Sequence, residues 1–133
     1  MKINSEQDML EFGENFAQKI DPPIVIELIG DVGVGKTTFV RGLAKGLGIK
    51  ELITSPSFTI SKAYAIPNGK RLVHYDFYRL KDPGLMIEDL SESINDKNTV
   101  TVIEWSNTVS DILPKNRIII NIKYAETGGR IIS

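Results

Sequence analysis

Apolar residues along the first third of the chain fall into three successive patterns. Met9, Phe12, Phe16 and Ile20 recur at helical spacing and predict an amphipathic helix that ends before Asp21-Pro22-Pro23. Ser5 with Asp8 is a capping pair at its start, where a side-chain oxygen can take a helix N–H that has no partner. Ile24-Val25-Ile26-Glu27-Leu28-Ile29 is short, β-branched and bounded by prolines and a glycine, and predicts a buried strand. A glycine-rich turn occupies 30–35. Residues 36–47 return to helical spacing, with Phe39, Val40, Leu43, Ala44 and Leu47 on the apolar side and Gly48 as a stop.

Further along, Thr54-Ser55-Pro56-Ser57 is loop chemistry. Phe58, Ile60, Lys62, Tyr64 and Ile66 then alternate with Thr59, Ser61, Ala63 and Ala65. Pro67-Asn68-Gly69 turns the chain into a second extended run over 71–77, so the two runs predict a β-hairpin. Asp82-Pro83 supplies a cap and a first turn for a helix to about Ile94. A polar turn over 95–98 precedes a strand over 99–104 that ends in Trp105. A short helical piece is expected over 108–113, a β-branched strand over 117–123, and one last edge strand over 130–132 after Gly128-Gly129. No repeat, low-complexity tract or linker interrupts this order. It predicts one α/β domain over 1–133, a three-layer sandwich whose mostly parallel sheet carries an antiparallel β-hairpin.

Composition narrows the function classes. The 133 residues suit one domain, and the 41% apolar fraction supports one buried core. The 16 basic and 17 acidic residues leave a net charge of −1, so the chain is not a cation that would coat nucleic acid by charge alone. The lack of cysteine removes disulfides, thiolate catalysis and cysteine-ligated zinc together. The N-terminus is polar and acidic, unlike a signal peptide, and every apolar run is far shorter than the roughly 20 residues that span a bilayer. A soluble cytoplasmic protein with no membrane partner is expected.

The glycine turn carries the strongest chemical signal. Gly30-Asp31-Val32-Gly33-Val34-Gly35-Lys36-Thr37 fits the phosphate-loop pattern G-x-x-x-x-G-K-[ST] at every fixed position. It follows a predicted buried strand and opens a predicted helix, which is the context that gives the pattern meaning. Glycines let the backbone turn tightly and point successive N–H groups inward, and the positive end of the next helix adds to their pull on polyphosphate oxygens. Lys36 can reach the β and γ phosphates, Thr37 is placed to ligate Mg²⁺, and Thr38 to bind the α phosphate.

Such a loop needs an acid at the end of a neighbouring strand, to hold Mg²⁺ or its waters. Asp76 ends one apolar run and Glu104 another; spacing alone assigns neither to the metal. Period-two alternation puts His74, Asp76 and Tyr78 on one strand face and Val73, Tyr75 and Phe77 on the other. His74, the only histidine, is expected to be a hydrogen-bonded structural residue. Arg79 is a candidate for stabilising γ-phosphate charge, with pairing to Asp76 or a helix end as its alternative. Trp105 is expected in the core or site wall. Ser55-Pro56-Ser57-Phe58-Thr59 is either a γ-phosphate-sensing loop or a proline turn into a strand.

These residues together resemble one family. The run over 30–43, the Ser55-Pro56-Ser57-Phe58-Thr59 loop, His74-Tyr75-Asp76-Phe77-Tyr78-Arg79-Leu80 and Ile103-Glu104-Trp105 are similar, in order and spacing, to the TsaE family. The match after Pro114 is loose. Two positions depart from the family pattern: Ser57 stands where threonine is usual, which keeps a hydroxyl, and the helix through Leu85 and Ile94 lacks the glycine usually found there.

The resemblance implies a P-loop NTPase fold and a Mg²⁺-dependent ATPase needed to form threonylcarbamoyladenosine in tRNAs that read codons starting with adenine. It implies action with TsaB and TsaD, tRNA being met only through that complex. The nucleotide cycle would reset the pair rather than transfer the group, and turnover by the chain alone, expected to be a monomer, would be slow. By matching position, Gly33, Val34, Gly35, Lys36, Thr37 and Thr38 would bind phosphates, and Thr37 and Glu104 would hold Mg²⁺. Lys36 and Glu104 would join Asp76, the acid required for hydrolysis, as catalytic residues. Ser5 would lie near the base, and Arg130 would approach the nucleotide.

Three other readings compete. A small-molecule kinase would need an acceptor pocket and an arginine-bearing lid, and no lid-like insertion is visible. A regulatory GTPase would need an Asn/Thr-Lys-x-Asp segment and an Asp-x-x-Gly switch, and neither pattern occurs. An interaction module holding nucleotide only as a structural ligand would be indifferent to loss of Asp76.

Overall fold

A computed structural model describes residues 1–56, 60–78, 84 and 86–133 of the chain. The described strands are β1 (Lys2–Ile3), β2 (Ile24–Ile29), β3 (Ser61–Ile66), β4 (Lys70–Asp76), β5 (Thr99–Glu104), β6 (Ile118–Tyr124) and β7 (Arg130–Ile132). They form a single sheet in the order β1-β7-β6-β2-β5-β4-β3. The four central strands run parallel, while β3 lies antiparallel on β4 at one edge and β7 and β1 close the other edge antiparallel. The helices are α1 (Glu6–Ala17), α2 (Lys36–Gly46) and α3 (Met86–Asn95).

Side-chain alternation along the parallel strands sorts the core into two layers. Ile26, Leu28, Val100, Val102, Ile120 and Ile122 face α1 and α2, where they meet Met9, Phe39, Val40 and Leu43. Val25, Val73, Tyr75 and Ile103 face the other way, against Leu90 of α3 and against Val109 and Leu113. With helices on both faces, the central strands read as nearly continuous apolar runs. All six residues of β5 are buried.

Helices α1 and α2 pack at very short range because each places a glycine against the other. A Cβ on Gly42 would fall 2.2 Å from the carbonyl oxygen of Leu10, and one on Gly13 would fall 2.6 Å from that of Phe39. Phe12, Phe16 and Phe39 cluster beside this contact, with ring centres 5.7 to 6.2 Å apart. Full burial of a side chain the size of Phe39 contributes about 1.5–3 kcal/mol. This contact seats α2, and with it the glycine turn at its N-terminus.

The predicted α/β sandwich with its hairpin is observed, and the hairpin turns at Pro67–Gly69 through a left-handed Asn68, φ 71°. Four details differ from the sequence reading. Lys2–Ile3 is an unpredicted strand, because two residues carry no periodicity. β7 is not the edge strand but pairs with β1 on one side and β6 on the other. The helical piece over 108–113 is instead two 3₁₀ turns, Ser106–Thr108 and Ser110–Ile112. Helix α1 stops at Ala17, short of the Asp21 boundary, although Ile20 still packs on the core. The predicted Asp82-Pro83 start of α3, Arg79 and Leu80 lie outside the described residues, as do Ser57, Phe58, Thr59 and Leu85; α3 itself is regular from Met86. Among the described residues, no helix is long and apolar enough to cross a membrane.

Candidate nucleotide site

The glycine turn leaves the end of β2 and reaches α2 through two left-handed residues, Gly33 at φ 81° and Gly35 at φ 117°. Residues other than glycine pay a steric penalty there. Gly35 is the N-cap of α2, and no side chain caps the helix. The first N–H groups of this 11-residue helix are therefore left to an external acceptor, at the positive end of its dipole. Val34 is buried and anchors the turn, while Val32 points outward.

Lys36 is 6% exposed and folds back over the turn. Its Nζ donates to the Gly30 carbonyl at 2.6 Å, sits 3.6 Å from Glu104 Oε1, and lies 4.0 Å from the centre of the Trp105 ring. Burial pushes the ammonium below its ordinary pKa, while Glu104 and then Asp76 pull it back up. Polyphosphate oxygens would act in the same upward direction as these carboxylates.

The two candidate acids end neighbouring strands. Asp76 and Glu104 are register partners across β4 and β5, and both are buried. They share strand parity with Leu72, Val100 and Val102, which places them on the α2 side of the sheet. Lys36, Thr37, Asp76 and Glu104 thus line one cavity of about 330 Å³, together with Ser55 and Trp105. Asp76 Oδ1 accepts the Tyr78 N–H at 2.9 Å. Glu104 Oε2 is 2.5 Å from His74 Nε2, so His74 is hydrogen-bonded as expected, and to one of the site's acids. Trp105 forms the wall, in a left-handed conformation with φ 55°, its ring tilted 40° against that of Tyr78 with centres 4.7 Å apart.

The remaining candidates meet on the other side of the turn. Ser5 and Arg130 line a cavity of about 410 Å³ with Asn4, Gly33, Gly35 and Thr38. The Ser5 hydroxyl accepts the Asp8 N–H at 3.0 Å, and the Asp8 carboxylate accepts the Asn4 N–H at 3.1 Å, which is the expected capping pair. Arg130 Nε donates to the Val34 carbonyl at 2.9 Å, and its guanidinium lies 4.3 Å from the Tyr124 ring centre. Gly33, Gly35 and Thr38 border both cavities, so a single elongated ligand could lie across the turn.

Two features escaped sequence reasoning. Tyr124 belongs to the wall through Arg130, a contact that exists only because β6 and β7 pair. Glu27 receives Ser106 Oγ and, at 2.9 Å, Arg117 Nε, which ties the turn after Glu104 to β2 and β6. Here a signal was present: an acid inside the run Ile24-Val25-Ile26-Glu27-Leu28-Ile29 must find a partner.

The donor set suits Mg²⁺. Among the described residues no group of three or more histidines or carboxylates converges as a metal cage. One hydroxyl and one or two carboxylates beside a polyphosphate cradle are what Mg²⁺ uses, since it keeps several waters and takes phosphate oxygens.

A left-handed glycine turn seated on a parallel sheet, with its following helix left uncapped, places the domain among the P-loop NTPases. Comparison with known proteins carries the assignment further. The family model described as "Threonylcarbamoyl adenosine biosynthesis protein TsaE" matches residues 3–132. A tRNA threonylcarbamoyladenosine biosynthesis protein TsaE from Haemophilus influenzae is 36% identical over 135 residues, covering 97% of this chain and 84% of that protein. The protein of the same name from Bacillus subtilis is 40% identical over 116 residues, covering 84% of this chain and 69% of that one. The crystal structure of Bacillus subtilis YdiB is similar at a TM-score of 0.81 and 32% identity, over 99% of this chain and 80% of its own. The chain belongs to the TsaE family, whose members take part in tRNA threonylcarbamoyladenosine biosynthesis.

Proposed function

We propose that this chain is a Mg²⁺-dependent ATPase that works with TsaB and TsaD to form the threonylcarbamoyl group on tRNA adenosine. Its nucleotide cycle resets the pair between turnovers; it does not transfer the group, and it meets tRNA through the complex. One observation carries the nucleotide reading: Lys36, Thr37, Asp76 and Glu104 converge on one cavity beside the uncapped N-terminus of α2. The partner reading rests on family membership.

Gly33, Val34, Gly35, Lys36, Thr37 and Thr38 wrap the phosphates with N–H groups and hydroxyls. Lys36 leaves Gly30 and Trp105 for the β and γ phosphates. Thr37 and Glu104 would hold Mg²⁺, which would supply positive charge against the phosphates. Asp76, beside Glu104, is the acid required for hydrolysis. Ser5 and Arg130 flank the base, across the turn from the phosphates.

The test is ATP hydrolysis by the purified protein, with and without TsaB–TsaD, using Glu104→Ala and Asp76→Ala as controls. Slow turnover alone, stimulated by the pair and lost in both variants, is the expected result. Hydrolysis that is fast alone and indifferent to the pair would overturn the partner reading, and an Asp76→Ala protein as active as wild type would overturn the catalytic one.

One observation favours a second reading. A hollow of about 540 Å³ reaches Lys36 and Trp105 from the far side, lined also by Asn107, Asn121 and Lys123. It is where a small-molecule kinase could seat an acceptor. Phosphate release without any acceptor separates the two, because a kinase would leak little.

A further inference from the structure

The His74 ring is fully buried in β4, between Leu72 and Asp76, and among the described residues only one of its nitrogens has a partner. Nε2 meets Glu104 Oε2 at 2.5 Å, while Nδ1 has no hydrogen-bond partner among the described residues. A proton on Nδ1 would be a buried donor with nothing to accept it, which is costly. The ring proton therefore sits on Nε2 and is donated to the carboxylate.

The two oxygens of Glu104 consequently differ. Oε2 is held by a rigid, buried ring, whereas Oε1 faces Lys36 Nζ at 3.6 Å. The lysine ends a long flexible side chain, whereas the His74 ring is fully buried. Were Lys36 to turn to bound phosphates, Oε1 would be freed in the cavity that Thr37 also lines, while Oε2 kept its partner.

We infer that His74 is a positioning residue for Glu104, which holds one carboxylate oxygen so that the other is presented to the metal. The inference rests on the reading of Glu104 as a Mg²⁺ ligand. Partners that orient a metal-binding side chain in this way typically cost about 10- to 100-fold in metal affinity when removed.

The experiment uses the full chain with ADP and Mn²⁺ as the probe ion, free Mn²⁺ being read by electron paramagnetic resonance. His74→Leu removes the donor at similar volume; His74→Gln puts an amide N–H where Nε2 stood. The expected result is Mn²⁺ affinity about 10- to 100-fold weaker in His74→Leu, with ADP affinity in the absence of metal unchanged and most of the loss restored in His74→Gln. A His74→Leu protein that binds Mn²⁺ like wild type, while Glu104→Ala does not, overturns the positioning role and leaves the metal reading standing. If Glu104→Ala itself binds Mn²⁺ normally, the metal reading fails and the inference falls with it. Should thermal melting show that His74→Leu does not fold, the comparison passes to His74→Gln against His74→Asn, whose amide stops short of Glu104. Equal Mn²⁺ affinity in those two would overturn the inference.

Discussion

Two helices begin beside the same glycine turn, and they treat their free N–H groups in opposite ways. Helix α1 caps one of its own with a side chain: Ser5 takes the Asp8 N–H, while the Asp8 carboxylate accepts the Asn4 N–H just before the helix. Helix α2 starts at Gly35 with no side-chain cap among the described residues. A missing cap costs a helix about 1 kcal/mol of stability, and α2 forgoes that stabilisation at the one end where a polyanion can supply the acceptors. On the proposed function α1 is a support and α2 a receptor, and Gly13 and Gly42 let the two pack at close range.

The contrast breaks most sharply if α2 is given a cap. Gly35→Asp would add a carboxylate where phosphate belongs and force a side chain onto a backbone at φ 117°. Such strain costs about 1–3 kcal/mol by itself, and charge repulsion adds to it, so ATP affinity should fall by about 100-fold or more. Trp105, the only tryptophan, reports this directly by fluorescence, since Lys36 covers its ring at 4.0 Å and would leave on binding. Affinity within about tenfold of wild type would contradict the idea that the bare helix end is the receptor.

Gly42→Val tests the coupling of the two helices. Its Cβ would fall 2.2 Å from a backbone oxygen of α1, so the helices must separate, at about 1–3 kcal/mol. Urea denaturation should show a lowered midpoint at constant slope; an unchanged midpoint would mean that the close approach is not what fixes α2.

Arg130→Ala removes a charged donor from the Val34 carbonyl and uncovers the Tyr124 ring. ATP affinity should weaken by about tenfold while kcat stays within about twofold, because the phosphate side is untouched. A fall in kcat alone, seen in steady-state assays, would instead place Arg130 in the chemistry. Ser5→Ala has the smallest expected effect: about 1 kcal/mol of stability by loss of the cap, with less change in ATP affinity than Arg130→Ala. A loss of affinity larger than the loss of stability in parallel titrations and melts would mean that Ser5 serves the ligand before it serves the helix.

What was legible in the sequence followed a local rule. The bounds of β2 and β5 were read residue for residue, because buried parallel strands are continuous apolar runs that stop at Gly30 and Trp105. The glycine turn was legible through its fixed spacing, and the Ser5–Asp8 cap through a separation of three residues. Errors gathered where structure depends on distant partners. Lys2–Ile3 is a strand only because Arg130–Ile132 lies beside it, and β7 was mistaken for an edge for the same reason. The 3₁₀ turns after Trp105 follow from Glu27, which holds Ser106 from 79 residues away.

The sequence by itself determined the glycine turn that the proposed function uses as a phosphate cradle, since it is eight consecutive residues with left-handed conformations at Gly33 and Gly35. It also determined that two acids end apolar strands. Only the tertiary structure decided that those acids stand side by side, because that depends on β4 and β5 being parallel neighbours in a particular register. It likewise decided that His74 holds Glu104, and that Arg130 returns to the turn it follows by 96 residues. Spacing along a chain describes directions within one element; distances between elements come from packing, which no local pattern records.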